Sequence, residues 1–483
     1  MENLKQFAGQ VVVVTGASRG IGQGIAQRFA REGASLVVSA NEDRVHEVGL
    51  PDTRRVLIGA GGVHAAGAEF RRFFGDIRAV LVADENTYAA AGRDAWRALQ
   101  ADGRVAGEPI VWPGRPAPYA DFVSVLALES ALRGRDAIPV AVGSGTINDL
   151  TKLASHRLGR PYMVVATAAS MDGYAAFGAA ITCDGVKRTL PCPAPRVVVA
   201  DLDVLAEAPP AMTAAGYADL LAKVSAGADW LLADAVGAEP LNQRAWTLVQ
   251  GSLRARIACP ERVRAGDRQA LESLMEGLVV TGLAMQECRS SRPASGSEHL
   301  FSHLWEMEAL QAGREGFSHG FKVGIGAIAA AALYERLLAR DFGSLDIDSA
   351  ASAWPRRAEV EATVRRLYGD MPDAGRIAEQ SLAKYLDDRA LVARLAATKR
   401  AWPEISLRLR DQVLPAAKVR DLLHKAGCPV EPEAIGVDRA HLRATCERAR
   451  HLRARYTQLD FLAETNELAR CLAELFESGG GLG

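Results

Sequence analysis

Short apolar runs suited to buried strands recur between residues 48 and 205, and helical stretches lie between them. The runs are RVLIG, RAVLVAD, IPVAVG, YMVVAT and RVVVADL, and the clearest intervening helix is YADFVSVLALESALRG. Strands and helices in alternation predict a parallel sheet with helices on its faces. A sheet of this kind binds its ligands beyond the carboxyl ends of its strands.

The periodicity becomes helical after residue 205 and stays so toward the end of the chain. Helices are predicted for LESLMEGLVVTGLAMQE, for GIGAIAAAALYERLLA and, over residues 447–477, for ERARHLRARYTQLDFLAETNELARCLAELFE. We therefore expect a nucleotide-binding α/β domain over residues 48–205, followed by a helical domain over residues 206–483.

A separate strand–turn–helix–strand pattern, VVVVTGASRGIGQGIAQRFAREGASLVVSA, opens the chain. Gly16, Gly20 and Gly22 follow its first strand, where backbone N–H groups and a helix N-terminus can hold a pyrophosphate. The pattern resembles the opening of a short-chain dehydrogenase. However, no tyrosine of the chain has a lysine four residues after it, as the catalytic pair of that family requires. Residues 1–47 are therefore predicted to form a partial βαβ unit docked on the main body, as a structural appendage or an oligomer contact.

The bulk composition narrows the choice of partners and compartment. The chain has 483 residues, a formal net charge of −1 and seven scattered cysteines without a CxxC pair. Because neither sign of charge dominates, neither nucleic acid nor a membrane surface is expected as a partner. No apolar run is long enough to span a bilayer. Free thiols without a disulfide framework are typical of the cytoplasm, where we expect the protein.

The run VAVGSGTINDLTK leads an apolar strand into small residues and then into a helix predicted to begin near Asn148 or Asp149. Small residues let the backbone approach a phosphate closely, and the helix N-terminus supplies positive potential. Many strand–helix turns need glycine for geometry alone, so both interpretations of residues 143–146 stay open.

The strand after this turn ends in TAASMDGYAAFG, which puts Thr167 and Ser170 at the ligand-binding edge of the sheet. The carboxylate of Asp172 can accept a hydrogen bond from a substrate hydroxyl. Serine and aspartate at such positions also serve as helix or turn caps, which is the alternative interpretation.

The helical half carries a group of residues with the spacing of metal ligands. His299 and His303 share one helical face in GSEHLFSH, His319 follows in SHGFKVGIG, and GYADLLAK holds Asp219 with Lys223 one turn later. Two histidines and one carboxylate can bind a divalent metal and leave positions open for water and substrate. A single histidine is more often an ordinary core or surface residue, but three in one short window favour a metal site.

Seven stretches occur in the order of one known superfamily: VLVADENTY, GSGTINDLTK, TAASMDGYAAFGAAIT, VVVADLDVLAEAPPAMTAAGYADLLAKVSAGADW, SGSEHLFSHLWEM, SHGFKVGIG and RYTQLD. On them, residues 52–470 resemble the iron-containing alcohol dehydrogenase and dehydroquinate synthase superfamily. The likeness is greater to its sn-glycerol-1-phosphate dehydrogenase branch. The resemblance implies a Rossmann-like parallel-sheet domain followed by an all-helical domain, with the active site in the cleft between them.

The resemblance also implies roles for particular residues of this chain. It implies that the metal ligands are Asp219, His299 and His319, that His303 is a second active-site histidine, and that Asp172 holds a substrate hydroxyl. It implies that the cofactor lies against Asp84 at the adenosine end, the pyrophosphate loop of Gly143, Ser144, Gly145, Thr146, Ile147 and Asn148, and Thr167 and Ser170 beside the nicotinamide. Ala176 departs from the family, which often has serine or threonine there, so one hydrogen bond to substrate or cofactor is missing.

The activity implied by the resemblance is hydride transfer between NAD(P)H and a ketone on a small phosphorylated polyol, best dihydroxyacetone phosphate. One divalent metal is implied, with zinc preferred to nickel or iron, and His303 would relay a proton. NAD and NADP both remain possible. Lys187, Arg188 and Lys322 are candidate phosphate ligands by residue type and position only. The superfamily also implies a homodimer or a larger homo-oligomer.

Three other functions remain as alternatives. One is a dehydrogenase of another polyol or polyol phosphate. Another is a non-catalytic, degenerate dehydrogenase acting as a scaffold, which has no need of an open metal site. Dehydroquinate synthase fits less well, because that branch has glutamate where this chain has Asp219.

Two turns of this chain resemble pyrophosphate loops, and only the GSGTIND turn is implied to bind the cofactor. We therefore expect replacement of Gly20 and Gly22 by alanine to impair folding or assembly while cofactor binding is retained. Fluorescence titration with NADH and circular dichroism of the double variant check this. Loss of NADH binding by a variant with an intact fold would contradict the assignment.

Overall fold

The computed structural model describes residues 11–15, 35–39, 44–47, 50, 52–314, 316–477 and 482. The glycine-rich turn predicted at Gly16, Gly20 and Gly22 lies outside these residues. In the described part of the chain, a parallel sheet flanked by helices is followed by helices alone. This confirms the predicted fold class.

The strands of the described residues form three sheets. They are β1 (Val11–Thr15), β2 (Ser35–Ser39), β3 (Arg44–Glu47), β4 (Arg55–Gly59), β5 (Arg78–Asp84), β6 (Ile110–Trp112), β7 (Ala137–Gly143), β8 (Met163–Ala166), β9 (Ala179–Cys183), β10 (Val186–Leu190) and β11 (Val197–Asp201). The main sheet has the order β3-β4-β11-β8-β7-β5-β6 and is parallel except for β3, which runs antiparallel to β4. Strands β1 and β2 form a parallel pair, and β9 and β10 form an antiparallel hairpin.

Helices connect the strands and make up the second half. They are α1 (Ala66–Phe74), α2 (Glu85–Thr87), α3 (Arg93–Ala101), α4 (Phe122–Arg133), α5 (Gly145–Arg157), α6 (Leu202–Glu207), α7 (Pro210–Leu221), α8 (Lys223–Ala235), α9 (Gln243–Arg256), α10 (Pro260–Arg264), α11 (Arg268–Cys288), α12 (Ser297–Gln311), α13 (His319–Leu338), α14 (Ile347–Ala353), α15 (Arg357–Tyr368), α16 (Ala374–Leu382), α17 (Asp388–Gln412), α18 (Ala416–Lys425), α19 (Arg439–Arg448), α20 (Gln458–Glu464) and α21 (Leu468–Phe476). The last described strand ends at Asp201, and the exact domain boundary at residue 205 stays a prediction.

The main sheet is buried on both faces. Along β5, Val80 and Val82 pack into one hydrophobic core, and Leu81 and Ala83 pack into another on the opposite face. Strand β7 is buried along its whole length. Burial on two faces requires apolar residues at successive positions, which is why the five predicted runs are continuous rather than alternating. All five are strands, namely β4, β5, β7, β8 and β11.

The helix predicted over residues 447–477 is wrong as a single element. Helix α19 ends at Arg448, a loop follows, and α20 begins only at Gln458. Thr457 starts α20 through a capping box with Asp460, and Asn466 adopts a left-handed conformation with φ of 58° after that helix. Local capping and the left-handed residue therefore divide a stretch whose periodicity alone favours one long helix.

Two further elements differ from the sequence-based expectation. Helix α5 begins at Gly145 rather than near Asn148, since the backbone N–H of Asn148 already donates to the carbonyl oxygen of Ser144 at 3.0 Å. The β9–β10 hairpin was not predicted, because Lys187 and Arg188 interrupt the apolar pattern of its second strand.

Two glycines allow helices to approach their neighbours closely around α7. A Cβ added at Gly216 would overlap the carbonyl oxygen of Ala169, in the loop after β8. A Cβ added at Gly320 of α13 would overlap the carbonyl oxygen of Ala215. The sheet edge, α7 and α13 are therefore packed backbone to backbone at the point where the two halves meet.

We expect Gly216→Ala to destabilise the protein by about 1–3 kcal/mol, because the methyl group must separate α7 from the loop after β8. The matched control is Gly251→Ala on the exposed side of α9, where an added Cβ meets only Thr247 at 3.9 Å. That change should stabilise by about 0.5–1 kcal/mol through lower backbone entropy of the unfolded chain. Thermal unfolding of both variants tests this, and equal shifts would contradict it.

Candidate active site

The candidate site lies beyond the carboxyl ends of β7 and β8, where α7, α12 and α13 meet the sheet. The ends of these two strands are joined by a bond from the Thr167 N–H to the Gly143 carbonyl oxygen at 3.2 Å. Further along the same loop, the N–H of Asp172 donates to Oδ2 of Asp219 on α7 at 3.0 Å. This bond connects the sheet edge directly to the helical half.

Asp219, His299 and His319 converge on one point, as the sequence predicts. One ligand atom from each residue lies within 4.8 Å of those of the other two. Asp219 is completely buried, and Nε2 of His299 lies 3.6 Å from its Oδ1. The rings of His299 and His319 have centroids 5.3 Å apart. The three donors come from α7, α12 and the first residue of α13, so helical packing alone brings them together.

A buried lysine joins the two aspartates of the site. Lys223 Nζ lies 2.7 Å from Oδ1 of Asp219 and 2.7 Å from Oδ2 of Asp172, and its side chain is fully buried. Burial alone would raise the pKa of Asp219, but the ammonium of Lys223 and the ring of His299 lower it well below its ordinary value. Burial and the charge of Asp219 raise the pKa of Asp172 despite the lysine. Asp219 is therefore held as a carboxylate.

Glu298 supports the ring of His299 from behind. Its Oε1 lies 2.8 Å from Nδ1 of His299, and its side chain is completely buried. A carboxylate at Nδ1 holds the proton there and leaves Nε2, which faces Asp219, free to bind a metal. Sequence reasoning missed this role, because a glutamate preceding a histidine has no characteristic spacing.

A second buried carboxylate anchors the start of the helix that carries these residues. Asp229 accepts bonds from the Tyr334 hydroxyl at 2.7 Å and from the Ser297 N–H at 2.6 Å. Burial and the charge of Glu298 raise the pKa of Asp229 to about 6. The N-terminus of α12 is thus fixed by two carboxylates, which sets the position of His299.

His303 lies beside Asp219, His299 and His319 but is not part of that cluster. Its ring centroid is 6.2 Å from the centroids of both His299 and His319. Burial holds the pKa of His303 well below its ordinary value, and the positive charge of Arg453 lowers it further. Burial also lowers the pKa of His319 to about 3. Both rings are therefore neutral near pH 7.

The predicted pyrophosphate loop forms the N-terminus of α5, a helix of 13 residues. The N–H groups of Gly145, Thr146 and Ile147 in the first turn have no intrahelical partner, and the side chain of Ser144, the residue before the helix, does not cap them. Such N–H groups are suited to an anion. Ile147 itself is buried in the core.

Asn148 lies beneath this turn and holds the next loop. Its Nδ2 donates to the Gly173 carbonyl oxygen at 3.3 Å, and its Oδ1 accepts from the Tyr162 hydroxyl at 2.9 Å. Lys152, also on α5, donates to the carbonyl oxygens of Gly173 and Gly178, both at 3.0 Å. The loop that carries Asp172 is therefore fastened to the helix that begins at the predicted pyrophosphate turn.

The remaining predicted cofactor residues lie at the same edge of the sheet. Thr167 is buried and Ser170 is half-buried in the loop after β8. Asp84 ends β5, and its Oδ1 accepts the Thr87 N–H at 2.8 Å in a capping box. Ala176 is buried, and its carbonyl oxygen accepts from Lys152 at 3.2 Å. Their contacts with a cofactor stay predictions.

The three cations predicted to meet a phosphate are ion-paired. Lys187 lies 2.6 Å from Glu306, Arg188 lies 2.8 Å from Asp373, and Lys322 lies 3.6 Å from Glu306. The two pairs of the β9–β10 hairpin dock it onto the helical half.

This chain is similar in sequence to known proteins. A family model described as short chain dehydrogenase matches residues 10–50, and one described as iron-containing alcohol dehydrogenase matches residues 57–209. A glycerol-1-phosphate dehydrogenase [NAD(P)+] of Geobacillus thermodenitrificans is 30% identical over 397 residues, which are 80% of this chain and 87% of that protein. The chain belongs to the iron-containing alcohol dehydrogenase family. Its first residues carry, in addition, the predicted likeness to a short-chain dehydrogenase.

Further comparisons agree in sequence and in fold. A glycerol-1-phosphate dehydrogenase [NAD(P)+] of Halalkalibacterium halodurans is 33% identical over 66% of this chain and 83% of that protein. The crystal structure of a probable glycerol dehydrogenase from Sinorhizobium meliloti 1021 has the same fold, with a TM-score of 0.55 and 16% identity over 88% of this chain and 97% of that one. No helix among the described residues is both long and apolar enough to cross a membrane.

Replacing Glu298 by alanine should weaken metal binding about 10- to 100-fold, because His299 loses the partner that fixes its orientation and proton. Glu298→Gln keeps an acceptor oxygen and should recover most of the affinity. Competition with a chromophoric zinc chelator measures both constants, and circular dichroism checks that the variants are folded. Equal zinc affinities in wild type and Glu298→Ala would refute the role.

Proposed function

We propose that this protein is a metal-dependent NAD(P)H dehydrogenase that interconverts dihydroxyacetone phosphate and sn-glycerol 1-phosphate. The observation that carries the proposal is the convergence of Asp219, His299 and His319 beside the loop that links the sheet edge to α7. The glycerol-1-phosphate dehydrogenase with 30% identity over 80% of this chain supports the choice of substrate.

The donor set fits a divalent metal. One carboxylate oxygen and two imidazole nitrogens lie within 4.8 Å of one another, and His299 turns Nε2 toward Asp219. Imidazole and carboxylate suit zinc, nickel and iron, and a three-ligand site with an open position is typical of catalytic zinc. We therefore propose zinc as the resident ion. When bound, the metal supplies a Lewis acid for a carbonyl oxygen and the nicotinamide supplies the hydride.

The chain's own residues orient the substrate at this point. Lys223 holds Oδ2 of Asp172 at 2.7 Å, and the other carboxylate oxygen, which has no hydrogen-bond donor among the described residues, is proposed to accept a substrate hydroxyl. His303 lies 6.2 Å from the rings of two proposed ligands and is neutral, so it can accept the proton of the substrate hydroxyl during oxidation; in the reverse direction the protonated ring returns that proton to the substrate oxygen.

The cofactor is proposed to lie along the carboxyl edge of the sheet. The N–H groups at residues 145–147 would hold its pyrophosphate, with Thr167 and Ser170 on the nicotinamide side and Asp84 near the adenosine ribose. This arrangement brings the nicotinamide toward Asp172 and the metal cluster, since Thr167, Ser170 and Asp172 share the loop after β8 and the Asp172 N–H donates to Asp219.

Stripping the protein with a chelator should abolish oxidation of NADH or NADPH by dihydroxyacetone phosphate, and one of zinc, nickel or iron should restore it. Asp219→Ala should lower the restored rate by about three orders of magnitude or more, because the Lewis acid is lost. The matched control is Asp421→Ala, a half-exposed aspartate on α18 whose ion pairs among the described residues are with Lys418 and Lys425.

Each outcome of this assay has a distinct meaning. A metal-restored rate that is lost in Asp219→Ala supports the proposal and identifies the metal and the cofactor together. Stoichiometric metal and bound NADH without turnover of dihydroxyacetone phosphate would refute the proposed substrate and favour another polyol phosphate. A chain that binds no metal would refute the dehydrogenase mechanism itself.

A further inference from the structure

A cavity lined by basic side chains opens next to His303. Its walls include Lys187 on β10, His303 on α12, Arg376 on α16 and Arg453 in the loop between α19 and α20, together with Asp373 and four apolar side chains. His303 forms the wall nearest the proposed metal ligands, because its ring centroid lies 6.2 Å from those of His299 and His319. The cavity therefore begins one side chain away from the proposed catalytic centre.

The carboxylates near this cavity are already shared between cations. Glu306 lies 2.6 Å from Lys187 and 3.6 Å from Lys322. Asp373 lies 2.8 Å from Arg188 and 3.8 Å from Arg376. Within the described part of the chain, these two acids are thus each divided between two partners, and the surroundings of the cavity remain positively charged.

Arg453 is the cation of this cavity that has no ion pair among the described residues. Among the residues that the structure describes, it makes no hydrogen bond and has no carboxylate within 4.0 Å, although it is half-buried. The pKa of Arg453 is lowered by burial and by the neighbouring charge of Arg376. Arg376 is exposed and shares Asp373 with Arg188, so an anion bound at Arg453 would further offset the repulsion between the two guanidinium groups.

We propose that Arg453, assisted by Arg376, binds the phosphate group of the substrate. This inference rests on the proposed function, and it assigns a binding site to the end of the substrate that is remote from the metal. The guanidinium presents N–H donors in a planar fork that matches two phosphate oxygens, and such charge-assisted bonds are stronger than neutral ones. The paired Lys187, Arg188 and Lys322 then hold the hairpin and the cavity wall in position.

Arg453 lies in the loop that interrupts the predicted helix over residues 447–477. Residues 452–457 form a loop whose other arginine, Arg455, donates to the Ser295 carbonyl oxygen and the Ser291 hydroxyl, both at 2.9 Å. Arg455 anchors the loop next to α12, and Arg453, two residues earlier, lines the cavity. Arg455 is therefore bonded to neighbouring protein groups, and Arg453 is available to a ligand.

The test compares wild type, Arg453→Gln and Arg453→Lys, with Arg443→Gln as the control. Arg443 is a half-exposed arginine of α19 that lies 3.6 Å from Glu447 one turn away. We measure KM and kcat for dihydroxyacetone phosphate and for dihydroxyacetone, and we titrate the metal-loaded protein with inorganic phosphate. Arg453→Gln should raise KM for the phosphorylated substrate about 10- to 100-fold and weaken phosphate binding by a similar factor.

The remaining measurements distinguish phosphate binding by Arg453 from a purely structural role of this residue. In Arg453→Gln, kcat/KM for dihydroxyacetone and the Kd for NADH should stay within about twofold of wild type, Arg453→Lys should recover part of the loss, and Arg443→Gln should change nothing. Unchanged KM and phosphate affinity in Arg453→Gln would overturn the inference. Equal losses for both substrates would also overturn it, since they would indicate a structural role.

The phosphate titration keeps this inference distinct from the proposed function. If wild type does not reduce dihydroxyacetone phosphate, the proposed function fails. Phosphate binding that depends on Arg453 would then still support an anion site in this cavity. Phosphate binding that is missing, or is the same in wild type and Arg453→Gln, would overturn that site.

Discussion

The ammonium group of Lys223 lies 2.7 Å from a carboxylate oxygen of Asp172 and 2.7 Å from one of Asp219, with all three groups buried or nearly so. Two carboxylates brought together out of water repel each other strongly, and the lysine is what makes their proximity tolerable. Asp172 belongs to the loop after the sheet, and Asp219 belongs to the first long helix of the second half. The relative position of the proposed substrate-binding and metal-binding groups therefore depends on one ion cluster. When ionised, Asp172, Asp219 and Lys223 together carry one net negative charge, which suits a cation at the open side of the cluster.

Close helix packing and buried polar contacts hold the other residues of the site in position around this cluster. Gly216 and Gly320 remove the side chains that would separate the sheet edge, α7 and α13. Asp229 and Glu298 fix the start of α12, and Glu298 also holds the ring of His299. Each proposed ligand is thus carried by a helix whose own end or face is fixed by buried polar partners. Rigid positioning of this kind lets a three-residue metal site keep its open coordination position for a substrate.

The sequence could predict groups whose residue type and spacing are characteristic of a chemistry, and it missed those that have no characteristic spacing. The strands were predictable because two-faced burial requires continuous apolar runs, as in β7. Asp219, His299 and His319 were predictable because of their residue types and order. Glu298 and Arg453 were not, since nothing in local spacing distinguishes a carboxylate behind a histidine, or an unpaired arginine, from any charged surface residue. The broken helix at residues 449–457 was missed for a related reason, because capping contacts outweigh periodicity there.

The two nucleotide-type turns of this chain differ in what surrounds them. The GSGTIND turn follows β7, a strand with parallel neighbours on both sides, and it opens onto the loop that holds Asp172.

Of the short-chain-dehydrogenase-like segment, the described residues contain the parallel pair β1–β2 and the strand β3, which adds antiparallel to β4 at the edge of the main sheet. In the order of the sheet, β4, β11 and β8 separate β3 from β7, so its attachment point lies about 19 Å from the candidate cofactor turn at ordinary strand spacing. A strand added at that edge satisfies the backbone groups of β4 and leaves β6 as the opposite edge of the sheet. Within the described residues, the segment therefore contributes strand β3 to the edge of the main sheet, away from the candidate cofactor turn.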